Sequence, residues 1–113
     1  LKKIYFNNKG NIMKVFISQP MRNIPNEEIL RIREEGKKKF LEIYKGDEEV
    51  EFISSFENDL SDNTHPIYLL GRAFELLSEA DMVLLIGDWK TTRGCRMEYE
   101  ACKEYGITVV EIE

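Results

Sequence analysis

Met82-Val83-Leu84-Leu85-Ile86-Gly87-Asp88 is the stretch that decides the fold. Five apolar residues run without a polar interruption, whereas a strand with one wet face alternates. Such a run marks a strand covered on both faces, the central position of a parallel sheet. Gly87-Asp88 closes it with a turn signal. Downstream, Trp89 to Gly94 reads as a loop, and Cys95 to Tyr105 as a helix stopped by Gly106, the residue type favoured just past a helix end. Thr108 to Ile112 supplies a last strand.

Working back from Met82, Lys14-Val15-Phe16-Ile17 is a short β-rich run ending in the turn Ser18-Gln19-Pro20. Asn26 offers an N-cap, with Glu27 and Glu28 in the first turn where the macrodipole favours them. Ile29, Ile32, Gly36, Phe40 and Ile43 recur at helical spacing, which predicts a helix to about Tyr44. Gly46-Asp47 breaks it, and Val50 to Ile53 is a second strand. Ser54 to His65 is a polar loop. Pro66 suits the first turn of a helix whose apolar face is Ile67, Leu70, Phe74 and Leu77, ending near Ala80.

The order is therefore β-α-β-α-β-α-β, an α/β three-layer sandwich around a four-stranded parallel sheet. The expected strand order is 2-1-3-4, with a topological switch point between the first and third strands. Ligands in such sheets bind beyond the strand C-termini at that point. Ser18, Gln19, Pro20 and Met21 lie there, together with Gly87, Asp88 and Trp89.

Residues 1–12 are rich in Asn and Lys and precede Met13, so they read as a leader before a single domain over 13–113. A short extra strand at Lys3 to Phe6 is the alternative. Length suits one domain. No apolar run approaches the roughly 20 residues that span a bilayer, and no secretory signal pattern is present, so a cytoplasmic location is expected. A net charge of −5, from 16 basic and 21 acidic residues, opposes binding to a nucleic-acid polymer. Lys37, Lys38 and Lys39 stand among Glu34, Glu35 and Glu42, the pattern of a solvated helix face. Cys95 and Cys102, about 10 Å apart along one helix, are beyond disulfide reach. With His65 the only histidine and no CxxC, no metal site or cofactor is expected.

Among groups that carry chemistry, Glu98 comes first. It falls in the opening turn of the last long helix, where the dipole favours an ionised carboxylate, and it starts a face continued by Ala101, Cys102 and Tyr105. Such a carboxylate can act as nucleophile or general base, though acidic residues are common in first turns in any case. Asp88 is placed to move a proton or bind a hydroxyl. Asp81, at the other end of the strand, reads as a cap. Trp89 either stacks on a flat ligand or covers the edge of the core. Ser18 to Met21 offer backbone N–H groups and a hydroxyl, without a glycine fingerprint. Arg22, Arg93 and Arg96 can meet a phosphate, and Cys95 at a helix start can be a low-pKa thiol.

Four blocks carry a resemblance: Lys14-Val15-Phe16-Ile17-Ser18-Gln19-Pro20-Met21, Ala80-Asp81-Met82-Val83, Gly87-Asp88-Trp89 and Arg93-Gly94-Cys95-Arg96-Met97-Glu98. Together, across Met13 to Glu113, they resemble the nucleoside 2-deoxyribosyltransferase-like family of small bacterial and phage proteins. The resemblance implies a flavodoxin-like (Rossmann-like) fold and N-glycosidic chemistry, with the glutamate matching Glu98 attacking the anomeric carbon of a nucleoside or nucleotide. Two positions depart from that family. An aromatic hydroxyl is usual at the end of the first strand, where Phe16 and Ser18 stand, and an acidic residue six before the glutamate, where Thr92 stands. The implied roles are Glu98 and Asp88 in catalysis, and Ser18, Gln19, Pro20, Met21, Gly87, Trp89, Arg93 and Gly94 in substrate binding. A module that binds a nucleotide-like ligand without turnover is the alternative, and a protein-interaction domain a third reading. Homo-oligomers are common among such relatives.

Overall fold

The computed structural model describes residues 11–54 and 65–113. Its elements are β1 (Ile12–Ser18), α1 (Asn26–Ile43), β2 (Glu49–Ser54), α2 (Pro66–Leu77), β3 (Met82–Ile86), a 3-10 turn (Trp89–Thr91), α3 (Arg93–Tyr105) and β4 (Thr108–Ile112). All three strand pairings are parallel and the order is β2-β1-β3-β4. This is the expected α/β architecture, a flavodoxin/Rossmann-like sandwich of three layers.

Burial explains the layering. Val15 to Ile17 of β1 and Val83 to Ile86 of β3 are buried on both faces of the sheet. Alternation sends Val15, Ile17, Leu84 and Ile86 to one side, where Phe40 of α1 packs with them. Phe16, Val83 and Leu85 go to the other side, against Ala73 and Leu77 of α2 and Cys95 and Cys102 of α3. Phe40 anchors the first layer further by stacking on Tyr44 and meeting Phe52 edge-on, at centroid distances of 5.4 and 5.9 Å. Gly36 lets α1 come close: a Cβ there would stand 2.4 Å from Cδ1 of Ile86.

Several local expectations are corrected. Asn26 is the first helical residue and Pro25 the cap position, with no side-chain capping bond. The inward stripe of α1 is Ile29, Arg33, Gly36 and Phe40, so Ile43 is exposed and a charged residue takes an inner place. α2 ends at Leu77, three residues before Ala80, and its buried positions are Ala73 and Leu77. Ile67, at 73% exposure, and Phe74 do not join the core. α3 starts at Arg93, two residues before Cys95, and Tyr105 faces solvent.

β1 starts at Ile12, paired with Glu49, one residue ahead of the boundary expected at Met13. Residues 1–10 of the leader expected over 1–12, with the alternative strand at Lys3 to Phe6, and most of the loop expected at Ser54 to His65 lie outside the described residues. Asp81 ties the start of β3 to β1: its carboxylate accepts the Lys14 N–H at 2.9 Å and its own N–H donates to the Lys14 carbonyl. Among the described residues, no helix is long and apolar enough to cross a membrane.

Phe40→Ala should lower stability by about 3–5 kcal/mol, because it leaves a cavity under a layer held by one helix. Urea denaturation should show the midpoint falling at an unchanged m-value.

Candidate active site

β1 and β3 end side by side, with Ser18 in register with Leu85. Gly87 follows at φ +72°, a left-handed conformation that suits glycine, and its N–H donates to the Ile112 carbonyl. The turn after β3 thereby meets the turn after β1: Pro20 Cδ lies 4.0 Å from where a Gly87 Cβ would stand.

Strand alternation puts Ser18 on the α3 side and Gln19 on the α1 side. Ser18 Oγ donates to Glu98 Oε1 at 2.6 Å, and the two residues are only 2% and 7% exposed. Glu98 is the sixth residue of α3, so its backbone N–H lies inside the helical ladder rather than among the unpaired groups of the first turn. The expectation of a dipole-stabilised carboxylate in the opening turn is corrected accordingly. Burial dominates and pushes the Glu98 carboxyl up from 4.5 to about 7, against the opposing pull of the Ser18 hydroxyl.

Cys95 and Cys102 flank Glu98 on the same inward face, three residues before and four after it. Both are free thiols. Burial, with the Glu98 charge adding to it, pushes both up to about 11, and at Cys95 the Ser18 hydroxyl pulls the other way. Cys95 is therefore no low-pKa thiol, because a helix start does not compensate for the loss of water around it. The two sulfur groups instead form a weakly polar wall around the carboxyl.

Gln19 does not turn toward Glu98. Its Nε2 donates to the Ile29 carbonyl at 3.2 Å and its Oε1 accepts from Arg33 Nε at 2.9 Å. Both ends of the amide thus fasten the exit of β1 to α1. Arg33 is buried, and desolvation pushes its pKa down. The sequence reading missed Arg33, although its spacing of four from Ile29, three from Gly36 and seven from Phe40 puts it on the apolar stripe.

Trp89 is 8% exposed and covers the core edge. Its ring lies 4.6 Å from that of Tyr99, and its indole N–H donates to Glu111 Oε1 at 3.0 Å. Asp88 is exposed, and its backbone carbonyl receives the Thr91 N–H and hydroxyl, which shapes the 3-10 turn. Pro20 and Met21 are half-buried in the turn after β1, and Met21 accepts the Ile24 N–H. Arg93 is exposed at the start of α3, and open space surrounds the position of a Gly94 Cβ. Arg96 donates to the Lys90 carbonyl. The structure therefore joins Ser18 directly to Glu98, keeps Asp88 and Arg93 exposed after β3, and commits Gln19 and Trp89 to other contacts. Among the described residues, no group of three His, Cys, Asp or Glu side chains is placed to hold a metal ion.

The model of the family described as Domain of unknown function (DUF4406) matches residues 13–111. The chain belongs to that family. The match runs from the second residue of β1 to the penultimate residue of β4, so it covers the sheet except Ile12 and Ile112 and includes both Ser18 and Glu98. Neither the curated proteins nor the solved structures contain a match to it.

Because the Glu98 carboxyl titrates higher in the folded chain than unfolded, the folded state holds an extra proton between about 4.5 and about 7. The corresponding stability is fully present below that window and is lost as pH rises through it, by about 3 kcal/mol. Glu98→Gln cannot ionise, so it should gain on the wild type between about pH 4 and about pH 8. Urea denaturation across that range reads the difference; a pH-independent gap would contradict the burial of an ionisable Glu98.

Proposed function

We propose that this domain cleaves or transfers the N-glycosidic bond of a nucleoside or nucleotide, with Glu98 as the nucleophile. The observation that carries the reading is the buried Ser18–Glu98 hydrogen bond at the C-terminal edge of the sheet, where α/β folds bind ligands. The resemblance to nucleoside 2-deoxyribosyltransferase-like proteins supports it, as does the hydroxyl that reaches Glu98 from the end of the first strand. Here serine supplies that hydroxyl where the resembled enzymes use an aromatic one.

A Glu98 carboxylate oxygen would bond to the anomeric carbon as the carbon–nitrogen bond breaks, and the electron pair would leave with the base. Asp88, after β3, is the candidate to relay a proton from solvent to the departing base and to take up the proton lost by the water or base that attacks next. Water or a second base would then attack the same carbon and release Glu98 as a carboxylate. Arg93, with Pro20 and Met21 of the turn after β1, would contact sugar or phosphate. Ser18 has a positioning role: it fixes one carboxylate oxygen and favours the charged, nucleophilic form.

A non-catalytic reading draws on the same carboxyl. Below about pH 7 a neutral Glu98 is a hydrogen-bond donor, suited to holding a nucleotide-like ligand without attacking it.

Liquid chromatography of nucleosides and 5′-monophosphates incubated with the protein, with and without a second free base, separates the two readings. Glycosidic chemistry predicts base release or exchange that disappears in Glu98→Gln. Ligand-induced thermal stabilisation without product would favour the binding module. If turnover is found, kcat/KM should rise with pH through about 7. Ser18→Ala should lower it by about 10- to 100-fold, the worth of a hydrogen bond to a charged group. The rising limb should also move to higher pH, because the hydroxyl that opposes the upward shift is gone; an unmoved limb would deny Ser18 its positioning role.

A further inference from the structure

The end of β1 is held asymmetrically. Ile17 is paired on both sides, with Ser54 of β2 and Leu84 of β3, whereas Ser18 is paired with Leu85 of β3 alone. Pro20, two residues on, has no N–H to donate to either neighbour. Past Ile17 the β2 ladder no longer fixes the strand, and the roll of Ser18 about the strand axis depends on what holds Gln19. That roll swings the Ser18 hydroxyl toward or away from Glu98, across a contact of 2.6 Å.

Gln19 is held at both ends, in one orientation of its amide. Arg33 Nε can only donate, so it meets Oε1 at 2.9 Å; the Ile29 carbonyl can only accept, so it meets Nε2 at 3.2 Å. Both partners belong to α1, and Gln19 and Arg33 are themselves buried, at 4% and 6% exposure. Burying a guanidinium is costly, and desolvation dominates at Arg33. An apolar residue on the stripe between Ile29 and Gly36 would avoid that cost, but it would release Gln19.

We propose that Gln19, oriented by Arg33, is a positioning residue of the site: from the α1 side of the sheet it fixes the rotation of the end of β1 that brings the Ser18 hydroxyl onto Glu98. Gln19 and Arg33 act through Ser18, not on the carboxyl directly. The kinetic consequence rests on the reading of Glu98 as a nucleophile; the consequence for the Ser18–Glu98 bond does not.

A double-mutant cycle read by carbon-detected NMR titration of the Glu98 carboxyl tests this, with far-UV circular dichroism to confirm folding. Ser18 from β1 and Cys95 and Cys102 of α3, the groups around that carboxyl, stay in place when Gln19 or Arg33 is changed. Gln19→Met keeps the side-chain length and removes both hydrogen bonds. It should move the Glu98 titration upward by about half a pH unit or more, the direction expected of Ser18→Ala. In the Ser18→Ala background the same substitution should add nothing, because the hydroxyl it aims is already gone. Arg33→Met, which leaves Gln19 its Ile29 bond, should give a smaller shift of the same sign, and it carries the test alone if Gln19→Met does not fold. If turnover is found, Gln19→Met should lower kcat by up to about tenfold with KM little changed. A Glu98 titration unmoved by these substitutions overturns the proposal. So does a shift that persists undiminished in the Ser18→Ala background, since Gln19 would then act by another route. A wild type without turnover but with the expected titrations would count against glycosidic chemistry and uphold the positioning role.

Discussion

β1 and β3 are buried on both faces, and most of the architecture follows from that constraint. Each successive side chain must enter a different apolar layer, so one side of the sheet needs α1 and the other needs α2 and α3. The alternation continues past the last apolar residue. Ser18 inherits the side of Phe16 and meets α3, while Gln19 inherits the side of Ile17 and meets α1. Two adjacent polar residues are thus held in opposite layers, one bonded to Glu98 and the other to Ile29 and Arg33. The position of the candidate site is a consequence of strand geometry before any chemistry is considered.

At the site, two electrostatic effects oppose each other and burial is the larger. Water is excluded from Glu98 by the sheet and by the thiols one turn to either side, which favours the neutral carboxyl. A single serine hydroxyl recovers part of the lost solvation. The balance near neutrality means that both protonation states are accessible where a nucleophile or general base operates. The same burial holds Cys95 and Cys102 as protonated thiols, which leaves the carboxylate as the anionic group of that face.

Where periodicity was uninterrupted, the sequence was legible. The apolar run Met82 to Ile86 and the alternation of strand and helix signals led to the sheet order, and β3 and β4 have the expected limits. Helix ends were less legible: Asn26 looked like a cap by residue type and Gly94 like the end of a loop, whereas the backbone begins α1 at Asn26 and α3 at Arg93. Amphipathicity also misplaced surfaces. Ile67, Phe74 and Tyr105 have core-like character, but the angular position of a helix is set by its packing, and here they face outward. Glu98 was found because it lies near the helix start and begins a face continued by Ala101 and Cys102, and Ser18 because it follows the apolar run of β1. Their direct bond depends on α3 lying over β1, a tertiary fact that spacing does not contain. Arg33 escaped notice because a charged residue on an inward stripe acquires meaning only when its acceptor, Gln19, is seen fourteen residues away.

Carbon-detected NMR titration of the glutamate side-chain carboxyls, assigned through Glu98→Gln, measures the central quantity without assuming any substrate. Glu98 should titrate near 7, well above its ordinary value of 4.5, and Ser18→Ala should move it higher still. A Glu98 carboxyl that titrates at the ordinary value, unchanged by removal of the Ser18 hydroxyl, would contradict the buried, serine-bound carboxylate on which the site rests.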